Sequence, residues 1–249
     1  MKLAAILNTR PLSESSRTID TFHKYGFETL SFPCIEITSV NNLKQCHSLI
    51  NNIPQNTIIV FTSIQAVIHA FEIVPEWKIS EDCIVITVGS KTAEELKKHI
   101  HNEIRVPKLQ NSDGVIKILE DLKSLKSITL ISAENGRQKI QKYAIRNNIK
   151  LSQINVYQRQ LPTNNQDFDE LTHGSDFYVL ATSIITLKNL KILLDKKQWN
   201  DLKSKLIVSA SSRIEDFAHE MGLLNTLNTN SANPKYMAKA LLKFISGPK

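Results

Sequence analysis

One strand-and-helix pattern occurs twice in this chain, and such a repeat constrains a fold more than any single motif. Ile58-Ile-Val-Phe-Thr-Ser63 returns as Tyr178-Val-Leu-Ala-Thr-Ser183, and Val88-Gly-Ser-Lys-Thr-Ala-Glu-Glu95 returns as Val208-Ser-Ala-Ser-Ser-Arg-Ile-Glu215. Both recur at an offset of 120 residues, from 63 to 183 and from 88 to 208. A shorter echo, Asn111-Ser112 with Asn230-Ser231, lies at 119. Each apolar run is bounded by hydroxyl residues and leads into an amphipathic stretch, which reads as a buried strand followed by a helix. A second correspondence breaks tandem order. Ile131-Ser-Ala-Glu-Asn-Gly-Arg137 through Tyr157 mirrors Leu7-Asn-Thr-Arg10 through Pro33, each a strand, a turn with an Arg, a helix and a second strand. The N-terminal unit therefore belongs with the C-terminal half. One domain is expected from 1–35 plus 167–249 and an inserted domain from 42–156, with linker strands near 34–41 and 157–166.

Periodicity places strands at 3–7, 28–32, 57–61, 84–88, 128–132, 151–157, 177–181 and 206–209. Helices are expected at 13–24, 92–100, 113–122, 137–147, 212–221 and 234–245, with another through Leu187, Leu190 and Leu194. Strands alternating with helices of this length specify α/β domains, each a parallel sheet with helices on both faces. A chain of 249 residues suits two such domains of roughly 100–150 residues each. No apolar run approaches the ~20 residues of a membrane-spanning helix. Asn8 and Arg10 interrupt the first apolar run, which reads as a buried strand rather than a secretory leader. Cys34, Cys46 and Cys83 show no CxxC or Cys/His spacing, which fits a reducing, cytoplasmic setting and no metal. The net charge of +7 favours an acidic partner. Lys and Arg are scattered, without a basic block or a helix-turn-helix, so an acidic small molecule is expected rather than nucleic acid or membrane. Seven glycines in the whole chain, with no P-loop and no GxGxxG, argue against a nucleotide cofactor.

Ligands of open parallel sheets bind beyond the carboxyl ends of the strands, where helix N-termini offer unpaired N–H groups to anions. Four such junctions carry Thr62-Ser63, Gly89-Ser90-Lys91-Thr92, Thr182-Ser183 and Ser211-Ser212. These hydroxyls either cap helices, as Thr92-x-x-Glu95 and Ser212-x-x-Glu215 suggest, or join the N–H groups in holding carboxylates. The working site is expected in a cleft that the two domains share. Arg10 and Arg137 follow the first strands of equivalent units, either to grip a carboxylate bidentately or to pair on the surface. Tyr157 closes a strand with Ile154 and Val156, as packing or as a proton donor.

With these residues in place the sequence resembles the uroporphyrinogen-III synthase family. The matching pieces are Asn8-Thr-Arg-Pro11, Phe32-Pro33, Phe61-Thr-Ser-Ile-Gln-Ala-Val67, Val88-Gly-Ser-Lys-Thr-Ala93, Asn111-Ser-Asp-Gly114, Glu134-Asn-Gly-Arg137, Val156-Tyr-Gln-Arg159, Ala181-Thr-Ser183 and Val208-Ser-Ala-Ser-Ser-Arg213. They follow in order along nearly the whole chain. Gln65 stands where the family commonly has Asn, and Ile184-Ile-Thr186 is a looser form of the second Thr-Ser motif. The resemblance implies two Rossmann-like or flavodoxin-like domains joined by a two-stranded β-ladder, and no cofactor. It implies that hydroxymethylbilane, a linear tetrapyrrole with eight carboxylates, loses water and closes with ring D inverted through a spiro-pyrrolenine. Tyr157 is then the candidate for assisting departure of the hydroxyl. Arg10, Thr62, Ser63, Ser90, Lys91, Thr92, Arg137, Ser183 and Ser212 are the candidates for holding substrate. A monomer is expected. Two other readings stand beside this one: a two-lobed binding or sensor module for an acidic ligand, and a glycosyltransferase with twin Rossmann-like domains.

Overall fold

The computed structural model describes residues 4–122, 127–134, 136, 138–163 and 166–247. In chain order the elements are β1 (Ala5–Asn8), α1 (Leu12–Lys24), β2 (Thr29–Ser31), β3 (Glu36–Ser39), α2 (Leu43–Asn51), β4 (Ile58–Phe61), α3 (Ile64–Ile73), β5 (Ile84–Thr87), α4 (Ser90–Leu96), β6 (Ile104–Arg105) and α5 (Ser112–Glu120). There follow β7 (Ser127–Ala133), α6 (Lys139–Arg146), β8 (Lys150–Gln160), α7 (Phe168–Thr172), β9 (Phe177–Ala181), α8 (Ile184–Leu193), α9 (Lys196–Leu202), β10 (Ile207–Ser209), α10 (Ser212–Glu220), β11 (Thr226–Asn228) and α11 (Pro234–Ile245). The chain divides into two compact units, one of residues 1–37 and 160–249, the other of residues 38–159.

The first unit is built on a five-stranded sheet in the order β2-β1-β9-β10-β11, all pairs parallel. That is the flavodoxin-type order. Strands buried on both faces must be apolar throughout, and β1 (Ala5-Ile-Leu-Asn8) is buried at every residue. Ile6, Leu7, Val179, Leu180, Ile207 and Val208 share one core with Leu187 and Leu190 of α8 and Met237 and Leu241 of α11. Helices α1 and α11 pack together, as do α8 and α10.

The second unit's sheet runs β3-β8-β7-β4-β5-β6. Its parallel core β8-β7-β4-β5-β6 repeats the order of the first, with β7-α6-β8 in the place of β1-α1-β2 and β4, β5, β6 in the places of β9, β10, β11. The helix pairs repeat as well: α5 packs with α6, and α3 with α4. One face of this sheet buries Ile58, Val60, Ile86, Ile128 and Leu130 against Val115, Leu119, Ile140 and Ala144. The out-of-tandem repeat is therefore a single fold written twice, with its first strand-helix-strand moved to the end in the second copy. The helix ends repeat too. Gly26 after α1 and Asn148 after α6 both take positive φ, 84° and 54°, and close their helices with the same backbone pair: Gly26 N–H to His23 O with Phe27 N–H to Phe22 O, and Asn148 N–H to Ile145 O with Ile149 N–H to Ala144 O.

Several expectations need correction. Helix α4 begins at Ser90 rather than Thr92, because Gly89 takes the extended conformation that precedes a first turn. The echo of Asn111 at Asn230 does not hold. Asn111 caps α5 with its side chain, whereas Asn230 sits at φ 50° in a turn and Asn233 caps α11. Strand β8 continues past Tyr157 to Gln160. Elements α2, α7, α9, β6 and β11 were not expected from the sequence; α2 does bury Cys46 and Ile50 on one face at helical spacing, while the two strands have only two and three residues, too few to display alternation.

Candidate functional site

The order of each sheet reverses direction at one place, between β1 and β9 in the first unit and between β7 and β4 in the second. Such switch points are where open parallel sheets bind ligands. Thr182-Ser183 stands at one and Thr62-Ser63 at the other.

The four helices that leave the adjoining strands start alike. Ser63, Gly89, Ser183 and Ser211 all adopt extended φ/ψ (−165°/165°, −157°/164°, −155°/156° and −166°/159°). Their carbonyls accept the first helical hydrogen bonds, from Val67, Ala93, Leu187 and Glu215. Ser63 Oγ accepts from Ala66 N–H and Ser183 Oγ from Thr186 N–H, both at 3.1 Å. The first N–H groups of each helix carry the positive end of its dipole; in α10 the third of them, Ile214 N–H, is drawn back to Ser211 O at 3.0 Å. Gly89 and Ser211 provide no side-chain cap. The two capping boxes read from sequence are therefore not formed. Thr92 is buried inside α4, and Glu95 pairs with Lys98 instead; Ser212 is the exposed first residue of α10, and Glu215 accepts from Thr226.

The remaining candidates have definite positions. The Thr62 hydroxyl donates to Ile131 O at 3.2 Å, stitching β4 to β7. Ser90 gives both its N–H and its hydroxyl to Gln110 Oε1, at 3.1 and 3.3 Å. A side-chain amide oxygen thus occupies the start of α4, the kind of group a carboxylate oxygen resembles. Lys91 is exposed on the first turn of α4. Arg10 is buried: Nη1 pairs with Glu14 at 3.2 Å, Nη2 donates to Ala232 O, and Nε has no hydrogen-bond partner. Burial lowers its pKa below the usual guanidinium value, opposed by Glu14. Arg137 lies outside the described residues.

Tyr157 owes its orientation to an irregularity. Ser132 pairs with Asn155 but Ala133 with Tyr157, so Val156 is an extra residue on β8. One extra residue reverses the alternation of a strand, and Val156 and Tyr157 are consecutive buried side chains. The phenol, 1% exposed, lies 3.0 Å from Ser63 Oγ and accepts from Arg159 Nη2 at 3.0 Å. The His69 ring stacks on it at 5.6 Å and 16°. His69 Nδ1 also lies 3.2 Å from Glu72 Oε2 and 3.4 Å from Ser39 Oγ. Burial lowers its pKa, opposed by Glu72. Arg159, quoted only as the end of the Val156-Tyr-Gln-Arg159 piece, and His69 and Gln110 were not among the candidate site residues. The signal for Arg159 was its spacing of two from Tyr157 within a strand; nothing local marked the other two.

Two hollows, of about 510 and 760 Å³, open at the amino ends of the strands, where a parallel sheet presents no helix N-termini. Among the described residues no group of His, Cys, Asp and Glu could hold a metal, and no helix is long and apolar enough to cross a membrane.

Comparison with known proteins addresses the same elements. The solved uroporphyrinogen-III synthetase of Helicobacter pylori is similar over 96% of this chain and 99% of its own, with a TM-score of 0.65 at 16% identity. A mutant uroporphyrinogen III synthase of Thermus thermophilus is similar over 98% of both chains, with a TM-score of 0.57 at 12% identity. At such identities these likenesses speak for the fold. The chain is 22% identical over 190 residues to the porphyrin biosynthesis protein HemD of Ruminiclostridium josui, matching 74% of this chain and only 38% of that longer protein. It is 23% identical over 211 residues, 82% of this chain and 84% of the other, to a Methanocaldococcus jannaschii protein whose name carries uroporphyrinogen-III synthase. The family model described as uroporphyrinogen-III synthase HemD matches residues 16–238, a span that takes in all four helix starts: the chain belongs to the uroporphyrinogen-III synthase family.

Proposed function

We propose that this chain is a uroporphyrinogen-III synthase: it takes hydroxymethylbilane, releases the hydroxyl as water and closes the ring with ring D inverted. The observation that supports this most is the set of four alike helix starts, two in each unit, at the carboxyl edges of the sheets. A polycarboxylate needs many hydrogen-bond donors, and backbone N–H groups at helix starts supply them without a matching number of cations. Ser63, Ser90, Lys91, Ser183 and Ser212 stand at these starts and Thr62 beside one of them; with Arg137 they are the residues proposed to hold substrate carboxylates, whereas Thr92, buried inside α4, and Arg10, engaged by Glu14 and Ala232, serve by holding the backbone beside those starts in place.

The reaction asks for orientation more than for activation, because the bilane closes to the uninverted isomer by itself. Fixing the pyrroles in the less favoured arrangement is the kind of contribution that positioning makes. Loss of the hydroxyl needs a proton, and ring closure returns one from the attacked pyrrole carbon, so the cycle balances without a cofactor. Tyr157 assists that departure; being buried, it acts through Ser63, to which it is hydrogen bonded. The enzyme works as a cytoplasmic monomer on a small molecule and not on nucleic acid. Purified protein mixed with hydroxymethylbilane should give uroporphyrinogen III, resolved from isomer I by chromatography after oxidation. Isomer I alone, at the rate seen in buffer, would refute the proposal and leave a binding module or another transferase.

A further inference from the structure

The caps of the two switch-point helices differ in one respect, and proton counting gives that difference a consequence. In the first unit Ser183 Oγ closes on its own helix, 2.8 Å from Thr186 Oγ1. In the second unit Ala66 stands in the place of Thr186, and the Ser63 hydroxyl faces Tyr157 instead. A guanidinium only donates hydrogen bonds, so the contact of Arg159 with the phenol runs from Nη2 to Oη. The phenol O–H then needs an acceptor. Among the described residues Ser63 Oγ is the acceptor at hydrogen-bonding distance, 3.0 Å away, and leaving a buried hydroxyl hydrogen unpaired costs about 1–3 kcal/mol. Ser63 Oγ therefore accepts twice, from Tyr157 O–H and from Ala66 N–H. With both lone pairs engaged, its own hydrogen is the only hydrogen-bonding capacity it has left. Ser63 is partly exposed, so that hydrogen faces whatever lies at the start of α3. A cation at the head of the chain polarises each bond after it, and the Arg159 guanidinium also lies 5.5 Å from the centre of the Tyr157 ring.

We propose that Arg159 is a positioning residue that, through Tyr157, sets the Ser63 hydroxyl as an outward hydrogen-bond donor to a substrate oxygen at the start of α3. This rests on the synthase reading and gives Tyr157 and Ser63 an order within it: Arg159 fixes the direction, Tyr157 transmits it and Ser63 meets the substrate. Ser183, whose hydroxyl lies against Thr186 Oγ1, has no counterpart of this hydrogen-bond chain through a tyrosine among the described residues.

Steady-state kinetics of Arg159→Met, Arg159→Lys, Ser63→Ala and Arg159→Met/Ser63→Ala test the chain, with thermal melting measured alongside. Arg159→Met should lower kcat/KM about tenfold, the effect of one aligned hydrogen bond, with melting unchanged because the side chain is exposed. Arg159→Lys should recover part of that loss, and the double variant should be no worse than Ser63→Ala. Independent, multiplying losses, or an unaffected Arg159→Met, would overturn the proposal. A readout apart from turnover is the hydroxyl proton of Tyr157 in the NMR spectrum. A slowly exchanging resonance with a cross-peak to the Ser63 β protons, displaced in Arg159→Met, supports the assignment. A Ser63 hydroxyl proton directed at Tyr157 overturns it, even in a protein that gives only isomer I, whereas isomer I with the expected Tyr157 resonance sinks the synthase reading alone.

Discussion

Replacing Gly114 with Ala tests how closely the fold is packed around the start of α4. In an ordinary helix that change stabilises by about 0.5–1 kcal/mol, since Ala loses less backbone freedom. Gly114 lies in the first turn of α5, where Asn111 Oδ1 caps its N–H at 3.1 Å. A β-carbon there would stand 1.9 Å from Leu109 O and 2.9 Å from the Pro107 β-carbon. The carbonyl would have to retreat by more than 1 Å to reach even a 3.0 Å contact. Leu109 O is backbone, and it is held by Asn111 N–H at 2.7 Å. Overpacking costs about 1–3 kcal/mol, and a clash with backbone belongs at the upper end. The net expectation is a loss of about 2 kcal/mol, opposite in sign to the helix propensity. The chain has two tryptophans, Trp77 in the second unit and Trp199 in the first. Urea unfolding in a Trp199→Phe background therefore follows the second unit through Trp77, which packs on Phe61 and Phe71. The same substitution displaces the 107–111 loop that carries Gln110, so kcat/KM should fall with stability. An unchanged or higher midpoint would refute the packing argument. Gly174→Ala is the contrast: it meets nothing within 4 Å, and its positive φ of 65° alone should cost about 1–2 kcal/mol.

Removing either switch-point cap, by Ser63→Ala or Ser183→Ala, should cost about 1 kcal/mol in urea unfolding; no loss in either would mean that the serine does not hold its helix start. His69 is held below its ordinary 6.5 mainly by burial, so the unfolded chain takes up the proton first and stability should decline as pH falls through that value. In His69→Asn the difference in melting temperature between about pH 7.5 and about pH 5.5 should shrink relative to the parent protein; an unchanged difference contradicts it. Cys34, Cys46 and Cys83 are all buried, and desolvation raises the pKa of the Cys34 and Cys46 thiols. Native protein should therefore react slowly with a thiol reagent and release three equivalents quickly only on unfolding; a fast native thiol would contradict the burial.

Much of the architecture was legible because parallel strands buried on both faces must be apolar along their whole length. Runs such as Ile58–Phe61 and Phe177–Ala181 stood out for that reason, and the Thr-Ser that ends each run marked the edge where helices begin. The displaced repeat was legible because its turns reuse the same chemistry, a strand, an Arg and a helix. What did not show was anything decided by a single residue of register or by distant partners. The extra residue at Val156, which turns Tyr157 onto Ser63, leaves no trace in composition. The start of α4 at Ser90, after an extended Gly89, was hidden by a capping pattern at Thr92 that the tertiary structure does not use. Arg10 drew notice as a cation, yet Glu14 and the Ala232 carbonyl, 222 residues away in sequence, already engage its guanidinium. Gln110 reaches the α4 start only because Gly114 lets its loop pack close, a dependence that no local pattern records.

The most direct test of the account is to compare hydroxymethylbilane with its fully esterified form, kcat/KM being measured for each under the same conditions. If backbone donors at the helix starts hold the carboxylates, esterification removes the charge that strengthens each of those hydrogen bonds. Losing three of them at about 1.4 kcal/mol apiece lowers kcat/KM about a thousandfold, and the residual product should shift toward isomer I. An ester that closes to isomer III as efficiently as the acid would contradict the central claim.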